Sequence, residues 1–316
     1  MRIGHNPARF IEKVDQPAEI AVAVVNCIPF LSGYYEQSLD VLKVVVESLN
    51  ATREKAHPYD VMIFDNHSCA EVRNYLKEAS DQGKIQCLIL SEQNIGKIGA
   101  WNFMFGAAQG KYVVFSDGDI GFRPGWLSAS LELFDIFPNV GMVTARPLQT
   151  PKMYSSATFE WGLREKVLEE GRFLSREVFW EHARSIERLE DDADPNLPVR
   201  MPRITYSGKV AYAGATHFQF MARREVLQKV IPLPSEQPMR GERALDIAIN
   251  QLGLLRLMTE KALVWHMGNR LNVNDKVEVR PARKSIMKRI LWLPGIRHFL
   301  LWLNNRIFRL YFLNVE

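Results

Sequence analysis

The chain has 316 residues, of which 47% are apolar and 24% charged, and this composition predicts a folded protein with a substantial core. Its net charge of +4 is small and comes from basic residues near the C-terminus, so no nucleic-acid partner is expected. The three cysteines, Cys27, Cys69 and Cys87, lack CxxC spacing and form an odd count, which argues against a disulfide framework and a structural zinc site.

Short apolar runs alternate with stretches of helical periodicity between residues 20 and 145. The pattern predicts strands at 20–25, 59–64, 85–90 and 112–115 and helices at 39–49, 71–80 and 100–108. Strand and helix in alternation predict an α/β fold with a mainly parallel sheet. Ligands of such sheets bind beyond the carboxyl ends of the strands, so the loops that follow these strands are the candidate site.

The second half of the chain has longer charged stretches. Residues 159–188 have a charged sequence of helical type, and residues 190–195 form an acidic connector that we predict to be a solvated loop. Regular structure is expected again at 211–221, followed by a helix at 240–250 and a strand that ends at His266.

Basic and aromatic residues are interspersed in the last segment, 281–316. Phe299, Leu303 and Leu310 lie on one face of a predicted helix, with Arg309 on the opposite face. Such a helix is typical of membrane-interface binding, and the alternative is packing on protein. No run reaches the roughly 18 apolar residues of a spanning helix, and no apolar signal core is present at the N-terminus. These features predict a cytoplasmic protein, peripheral at the inner face of the cell membrane if the helix binds lipid.

The strand at 112–115 continues into Ser116-Asp117-Gly118-Asp119. Alternate residues of an extended strand point to the same side, so Asp117 and Asp119 can converge on one cation, while Gly118 admits a bulky ligand. Paired carboxylates suit Mg²⁺ or Mn²⁺, and such an ion suits a diphosphate. The same residues also form ordinary turns, so the neighbouring loops decide between the two interpretations.

Two neighbouring loops are suited to a nucleotide. Asp65 follows the second strand, where a carboxylate can accept a hydrogen bond from a base, and the segment Asn94-Ile95-Gly96-Lys97-Ile98-Gly99 opens a helix. A glycine-rich turn at a helix start can accommodate phosphate. Its glycines do not form GxGxxG, which gives little support to a dinucleotide dehydrogenase.

Together these segments resemble the nucleotide-sugar-binding half of family 2 glycosyltransferases. The resemblance implies the GT-A fold, an α/β Rossmann-like mixed sheet flanked by helices, with a helical insertion and a C-terminal amphipathic helical segment. It implies a glycosyltransferase domain over residues 1–280, with a donor half at about 18–150 and an acceptor half at about 151–280, followed by the helical segment 281–316.

The resemblance also assigns residue roles. The positions that match nucleotide-sugar-binding residues are Asn26, Asp65, Asn94, Gly99, Asn102 and Asp117. The positions that match the site of a divalent metal, Mn²⁺ or Mg²⁺, are Asp117, Asp119 and His266. The first loop, Asn26-Cys27-Ile28-Pro29, departs from the Pro-Thr-Tyr-Asn that is common in the family.

A candidate general base follows from the C-terminal half. The family has a Glu-Asp pair at a helix start, then a glycine, then a strand that ends in histidine, and counting back from Gly253 and His266 puts Glu242 at the base position. The usual residue there is aspartate. Asp246 lies one helical turn later on the same face and ranks second. The alternative for both is a helix carboxylate without a catalytic role, favoured for Glu242 by the helix dipole.

The implied activity is metal-dependent inverting transfer of a hexose from a nucleoside-diphosphate sugar to a hydroxyl of a glycan or lipid-linked acceptor. The match at Asp65 favours a UDP-sugar. Two other classes remain open, a non-catalytic module that binds nucleotide sugars or membranes and a nucleotidyltransferase. The latter would need a basic glycine-rich loop after the first strand, which residues 25–33 do not supply.

Overall fold

The computed structural model describes residues 13–186, 197–236 and 241–271, together with Phe299, Trp302, Leu303 and Arg306. The chain divides into two units, Pro17–Glu278 and a second one composed of Met1–Gln16 and Val279–Glu316. The first unit is a mixed α/β sheet flanked by helices, which confirms the predicted fold class.

The first unit contains strands β1 to β12 and helices α1 to α8. The strands are β1 Ile20–Asn26, β2 Tyr59–Asn66, β3 Cys87–Ser91, β4 Tyr112–Asp117, β5 Ile120–Phe122, β6 Val140–Thr144, β7 Leu168–Leu174, β8 Val199–Tyr206, β9 Lys209–Ala213, β10 Gln219–Arg223, β11 Leu255–Thr259 and β12 Val264–His266. The helices are α1 Ser38–Ala51, α2 Ala70–Asp81, α3 Gly96–Ala107, α4 Trp126–Ile136, α5 Ser156–Arg164, α6 Arg176–Ser185, α7 Arg224–Val230 and α8 Glu242–Gln251.

Ten strands form one sheet in the order β3-β2-β1-β4-β10-β6-β11-β9-β8-β7, and β12 pairs with β5 in a second, two-stranded sheet. Strand β1 is parallel to β2 and β4, and β2 is parallel to β3. Strand β10 is antiparallel to β4. The carboxyl ends of β1 to β4 therefore meet at one edge of the sheet, beside the start of β10.

Alternate residues of β1 enter two separate cores. Val22 and Val24 pack on the face that holds α1, α2 and α4, whereas Ala21 and Ala23 pack on the face that holds α3, α7 and α8. A strand covered on both faces has a continuous apolar sequence, and the small alanines leave room for the large aromatic side chains of α3. Trp101 of that helix is fully buried.

The stretch 159–188, expected to be helical, contains a strand as well as helices. Helix α5 ends at Arg164, β7 pairs antiparallel with β8, and α6 follows. Strand β7 lies at an edge of the sheet and its charged residues remain exposed, so its sequence resembles the polar face of a helix. The predicted solvated loop at 190–195 lies outside the described residues.

Four residues of the predicted segment 281–316 are described, and all are helical. The rings of Phe299 and Trp302 stack with centroids 6.0 Å apart, and the guanidinium of Arg306 lies over Trp302. The remaining residues of the segment lie outside the described part, so the membrane contact stays a prediction. Among the helices that the structure describes, none is both long enough and apolar enough to cross a bilayer.

Candidate active site

Asp65 lies at the carboxyl end of β2 and is fully buried. Its Oδ1 accepts a hydrogen bond from Asn26 Nδ2 at 3.3 Å, and its Oδ2 accepts from the Ser68 amide at 3.2 Å and from Arg73 Nε at 3.1 Å. Two carboxylate oxygens offer about four acceptor positions, so one position at Oδ1 has no donor among the described residues. The predicted nucleotide residues Asn26 and Asp65 are therefore in direct contact.

Asn94 shapes the entry to α3. Its Oδ1 accepts hydrogen bonds from Asn66 Nδ2 and from the Gly96 amide, both at 2.9 Å, and Gly96 has a positive φ of 73°. Helix α3 begins earlier than predicted, so Gly99 lies inside the helix instead of in the loop. A Cβ at Gly99 would lie only 3.2 Å from the Ile95 side chain, so this position favours glycine for packing.

Asn102 does not join the other predicted donor residues through its side chain. Its Nδ2 donates to the Leu233 carbonyl and its Oδ1 accepts from the Leu233 amide, both at 2.8 Å. The side chain therefore ties α3 to the segment after α7.

Asp117 and Asp119 lie at the end of β4 and directly after it, where 23% and 31% of their side-chain surfaces are exposed. The Lys97 ammonium contacts both oxygens of Asp117, at 2.7 Å and 2.8 Å. Burial raises the pKa of both carboxyls, that of Asp119 to about 6. Lys97 was not among the predicted site residues, although its place in the glycine-rich segment next to a helix start was a usable signal.

His266 reaches this site through the small sheet. Strand β12 pairs with β5 so that His266 lies opposite Ile120, and its Nε2 is 3.3 Å from Asp119 Oδ2. Its Nδ1 lies 3.0 Å from Ser185 Oγ of α6. Burial lowers the pKa of His266, which favours the neutral imidazole that binds metals. The structure thus brings His266 into contact with Asp119, two residues after Asp117.

The donor set at Asp119 fits a divalent cation. Asp119 Oδ1 is buried without a hydrogen-bond partner, which is costly for a carboxylate oxygen unless a ligand satisfies it. Carboxylate oxygens with one imidazole suit Mn²⁺ or a similar ion. In the described part of the chain, no three His, Cys, Asp or Glu side chains are yet close enough to form a complete metal site, and Lys97 engages Asp117.

Helix α8 supplies both candidate bases. Glu242 is its first residue, is partly buried, and makes no hydrogen bond or ion pair with the described residues. Its neighbour Gly241 packs directly against Ile98, which places Glu242 near the first turn of α3. Asp246, in contrast, is buried, forms an ion pair with Arg256 and lies 3.4 Å from His217 Nδ1.

Helix α6 of the insertion packs against this site. Glu181 accepts from Arg123 and from Arg146, the latter at 2.7 Å, and the His182 ring stacks on Phe218 with centroids 5.5 Å apart. Burial lowers the pKa of His182 to about 3. The insertion therefore packs directly against His266, because the His182 and His266 rings lie 5.6 Å apart.

We expect the partly buried His182 to make the protein sensitive to acid. The unfolded chain binds a proton on this histidine near pH 6.5, whereas the folded protein does so only near pH 3. Between these values the unfolded state holds more protons, so this group lowers stability by up to about 1.4 kcal/mol for each pH unit of acidification. Urea unfolding of wild type and His182→Phe from pH 8 to pH 4 tests this: the variant should lose less stability below pH 6.5, and parallel curves would contradict it.

Known structures with similar folds include three at low sequence identity. The first is "S. aureus TarS 1-349", with 14% sequence identity and a TM-score of 0.47 over 78% of this chain and 60% of that one. The second is GalNAc-T7 with UDP, GalNAc and Mn²⁺, with 12% identity and a TM-score of 0.49 over 80% of this chain and 44% of that one. The third is "S. aureus TarS", with 13% identity and a TM-score of 0.47 over 78% of this chain and 36% of that one. The chain thus spans less than two thirds of the length of each.

Comparison with curated protein sequences gives no significant match. A family model does match: that of glycosyl transferase family 2 aligns with residues 33–231, which is more than half of the chain. The matched range runs from the loop after β1 to the end of α7. It includes Asp65, Asp117 and Asp119, whereas Asn26, Glu242 and His266 lie outside it. The protein therefore belongs to glycosyl transferase family 2.

Proposed function

We propose that the protein is a metal-dependent inverting glycosyltransferase that moves a hexose from a nucleoside-diphosphate sugar, with UDP-sugars favoured, to a hydroxyl of a glycan or lipid-linked acceptor. The observation that carries the proposal is the meeting of Asp119 and His266 at 3.3 Å, beside the Asp65 network at the same edge of the sheet. Family membership supports the transferase class.

In this proposal the chain binds the donor along the carboxyl edge of β1 to β4. Asp65 offers its remaining acceptor position to an N–H of the base, and Asn26 orients that carboxylate. Gly118 lets the turn after β4 pack closely against the end of β1, because a Cβ there would lie 3.0 Å from the Val25 carbonyl and 3.3 Å from Asn26 Oδ1. The diphosphate of the donor would lie towards Asp117 and Asp119.

Asp119 and His266 would hold the cation, with Asp117 joining them when Lys97 shifts to the diphosphate. A bound divalent ion would neutralise charge on the departing nucleoside diphosphate. Ser185 fixes the His266 ring by contact with Nδ1, which leaves Nε2 on the side of Asp119. Arg123 and Arg146 hold α6, the helix that carries Ser185, through Glu181.

Glu242 would remove the proton from the acceptor hydroxyl. It is the α8 carboxylate without a partner among the described residues, whereas Asp246 is engaged by Arg256. A general base must be free to bind the hydroxyl that it deprotonates. The position of Glu242 at the start of α8, near the first turn of α3, is suited to this task.

Glu242→Gln should lower turnover by about 10²-fold to 10⁴-fold, the usual contribution of a general base. Because the change is isosteric and breaks no ion pair with the described residues, UDP binding should stay within about twofold of wild type. Steady-state kinetics and calorimetric UDP titration measure the two quantities. Glu78→Gln, at an exposed position of α2, is the matched control. Full turnover in Glu242→Gln would exclude Glu242 as the base.

The proposed function is tested by product analysis with a panel of UDP-, GDP- and dTDP-sugars, with Mn²⁺ or Mg²⁺ and glycan or lipid-linked acceptors. A glycosyltransferase releases nucleoside diphosphate in a metal-dependent reaction and inverts the anomeric centre. Release of pyrophosphate would identify a nucleotidyltransferase. Tight binding without any release would support a binding module, and absence of all nucleotide binding would overturn the proposal.

Lys97→Met should weaken UDP binding by about tenfold, because it removes a positive charge beside the expected diphosphate position. The methionine keeps an unbranched side chain of similar length against Trp101 and Phe115, which the Lys97 ammonium approaches at 5.4 Å and 5.5 Å. Lys43→Met, at an exposed ion pair on α1, is the control. Calorimetric titration with UDP and Mn²⁺ gives the answer, and unchanged affinity would limit Lys97 to a structural contact with Asp117.

A further inference from the structure

The buried carboxylate of Asp246 contacts a histidine, His217, in addition to its ion-pair partner Arg256. Asp246 has 6% of its side chain exposed, its Oδ1 pairs with the buried Arg256, and its Oδ2 faces His217 Nδ1 at 3.4 Å. Burying an ion pair brings little net stability, so this arrangement suggests a role beyond folding. His217 is 43% exposed, so the chain of contacts leads from the protein interior to the surface.

The loop that carries His217 is fixed along its length. The Gly214 amide donates to the Arg256 carbonyl at 2.9 Å, the Arg256 guanidinium donates to the Ala215 carbonyl at 2.9 Å, and the Thr216 amide donates to Thr144 Oγ1 at 2.8 Å. A residue held on rigid elements presents its side chain with little loss of entropy on binding. The His217 backbone is therefore preorganised.

The same loop is joined to the metal-binding edge. The Asp117 amide donates to the Phe218 carbonyl at 2.8 Å, and the Phe218 ring lies 6.0 Å from the His266 ring. His217 directly precedes Phe218 in the chain. The His217 imidazole, in contact with Asp246 of α8, therefore lies between that helix and the Asp117 edge, where we expect the sugars of a transfer reaction to meet.

The contact with Asp246 determines which nitrogen of His217 is available. An ionised carboxylate only accepts hydrogen bonds, so Nδ1 must carry the proton that lies between the two groups. In the neutral ring Nε2 then has a free lone pair. A hydroxyl group is a donor that this lone pair can bind, and sugars offer several of them.

Resting on the proposed function, we propose that His217 Nε2 accepts a hydrogen bond from a hydroxyl of a sugar bound beside it, with Asp246 and Arg256 as positioning residues. His217 then favours a sugar that has a hydroxyl within hydrogen-bonding distance of Nε2. The nucleotide does not contact His217 in this arrangement. Loss of the bond should lower kcat/KM for that sugar by about tenfold.

The test compares His217→Phe, which removes the acceptor atom, with His217→Gln, whose side-chain oxygen can replace it. The full chain is assayed with Mn²⁺, the donor found active and its acceptor, and UDP affinity is measured separately. We expect His217→Phe to lose about tenfold in kcat/KM, His217→Gln to recover most of it, and both to keep UDP affinity. A change confined to donor KM or to acceptor KM identifies which sugar is bound. His57→Phe, in the loop before β2, is the control.

Two further readouts complete the test. Nitrogen-15 NMR of the histidine ring should show the proton of His217 on Nδ1, and should show it moved to Nε2 in Asp246→Asn, because the asparagine amide can donate to Nδ1. The inference would be overturned by an unchanged kcat/KM in His217→Phe, or by a loss of UDP affinity in that variant as large as its loss of kcat/KM. It would also be overturned by a proton on Nε2 of His217 in the wild-type protein. A wild-type protein that binds no nucleotide would instead defeat the proposed function, while the ring-proton measurement would still decide the Asp246–His217 arrangement.

Discussion

Replacing Asp119 by asparagine is expected to abolish metal-dependent transfer, with turnover falling by about 10³-fold or more, because several kcal/mol of charge stabilisation are lost. The substitution removes the negative charge that faces His266 at 3.3 Å and the orphaned oxygen Oδ1. Mn²⁺ affinity should fall in parallel. Release of nucleoside diphosphate and Mn²⁺ binding by electron paramagnetic resonance measure the two effects.

Asp40→Asn is the matched control for this experiment, because Asp40 is an exposed carboxylate that pairs with Lys43 on α1. It should leave both quantities unchanged. If Asp119→Asn kept its Mn²⁺ affinity and its turnover, the assignment of the cation to this carboxylate would be wrong. Retained Mn²⁺ binding with lost turnover would instead indicate that Asp119 acts on the donor.

The largest effect on stability is expected for Arg256→Leu. Arg256 is fully buried and is the ion-pair partner of Asp246, so its removal leaves a buried carboxylate without a counter-charge. Removing one member of a buried ion pair costs about 3–5 kcal/mol. Urea unfolding at pH 7 measures the free energy of unfolding directly.

The double variant Asp246→Leu/Arg256→Leu separates charge from packing. With both charges gone, no uncompensated group remains, and most of the lost stability should return. Arg164→Leu, which breaks an exposed pair with Glu165, should change stability by less than about 1 kcal/mol. A double variant as unstable as Arg256→Leu would show that the hydrogen bonds of Arg256 to backbone carbonyls, including that of Ala215, carry the stability instead.

Elements with strong local patterns could be predicted from the sequence. Strands β1, β2 and β4 are continuous apolar runs, and β1 occupies Ile20–Asn26 against a predicted 20–25. Strand β7 could not be found in this way, because an edge strand with a solvated face has neither an apolar run nor clear alternation. Its pairing with β8 across the sequence decides its conformation.

The candidate active site also has features that could be predicted from the sequence and features that could not. The sequence by itself determined the alternation of strands and helices and the position of Asp117 and Asp119 at the end of β4. These features depend only on residues that are close together in the chain. Only the tertiary structure decided that His266 lies beside Asp119, since β12 must first pair with β5. It likewise joined Arg256, Asp246 and His217, and set Lys97 against Asp117. These contacts join residues that are far apart in the chain. They form only when the sheet and its helices pack together.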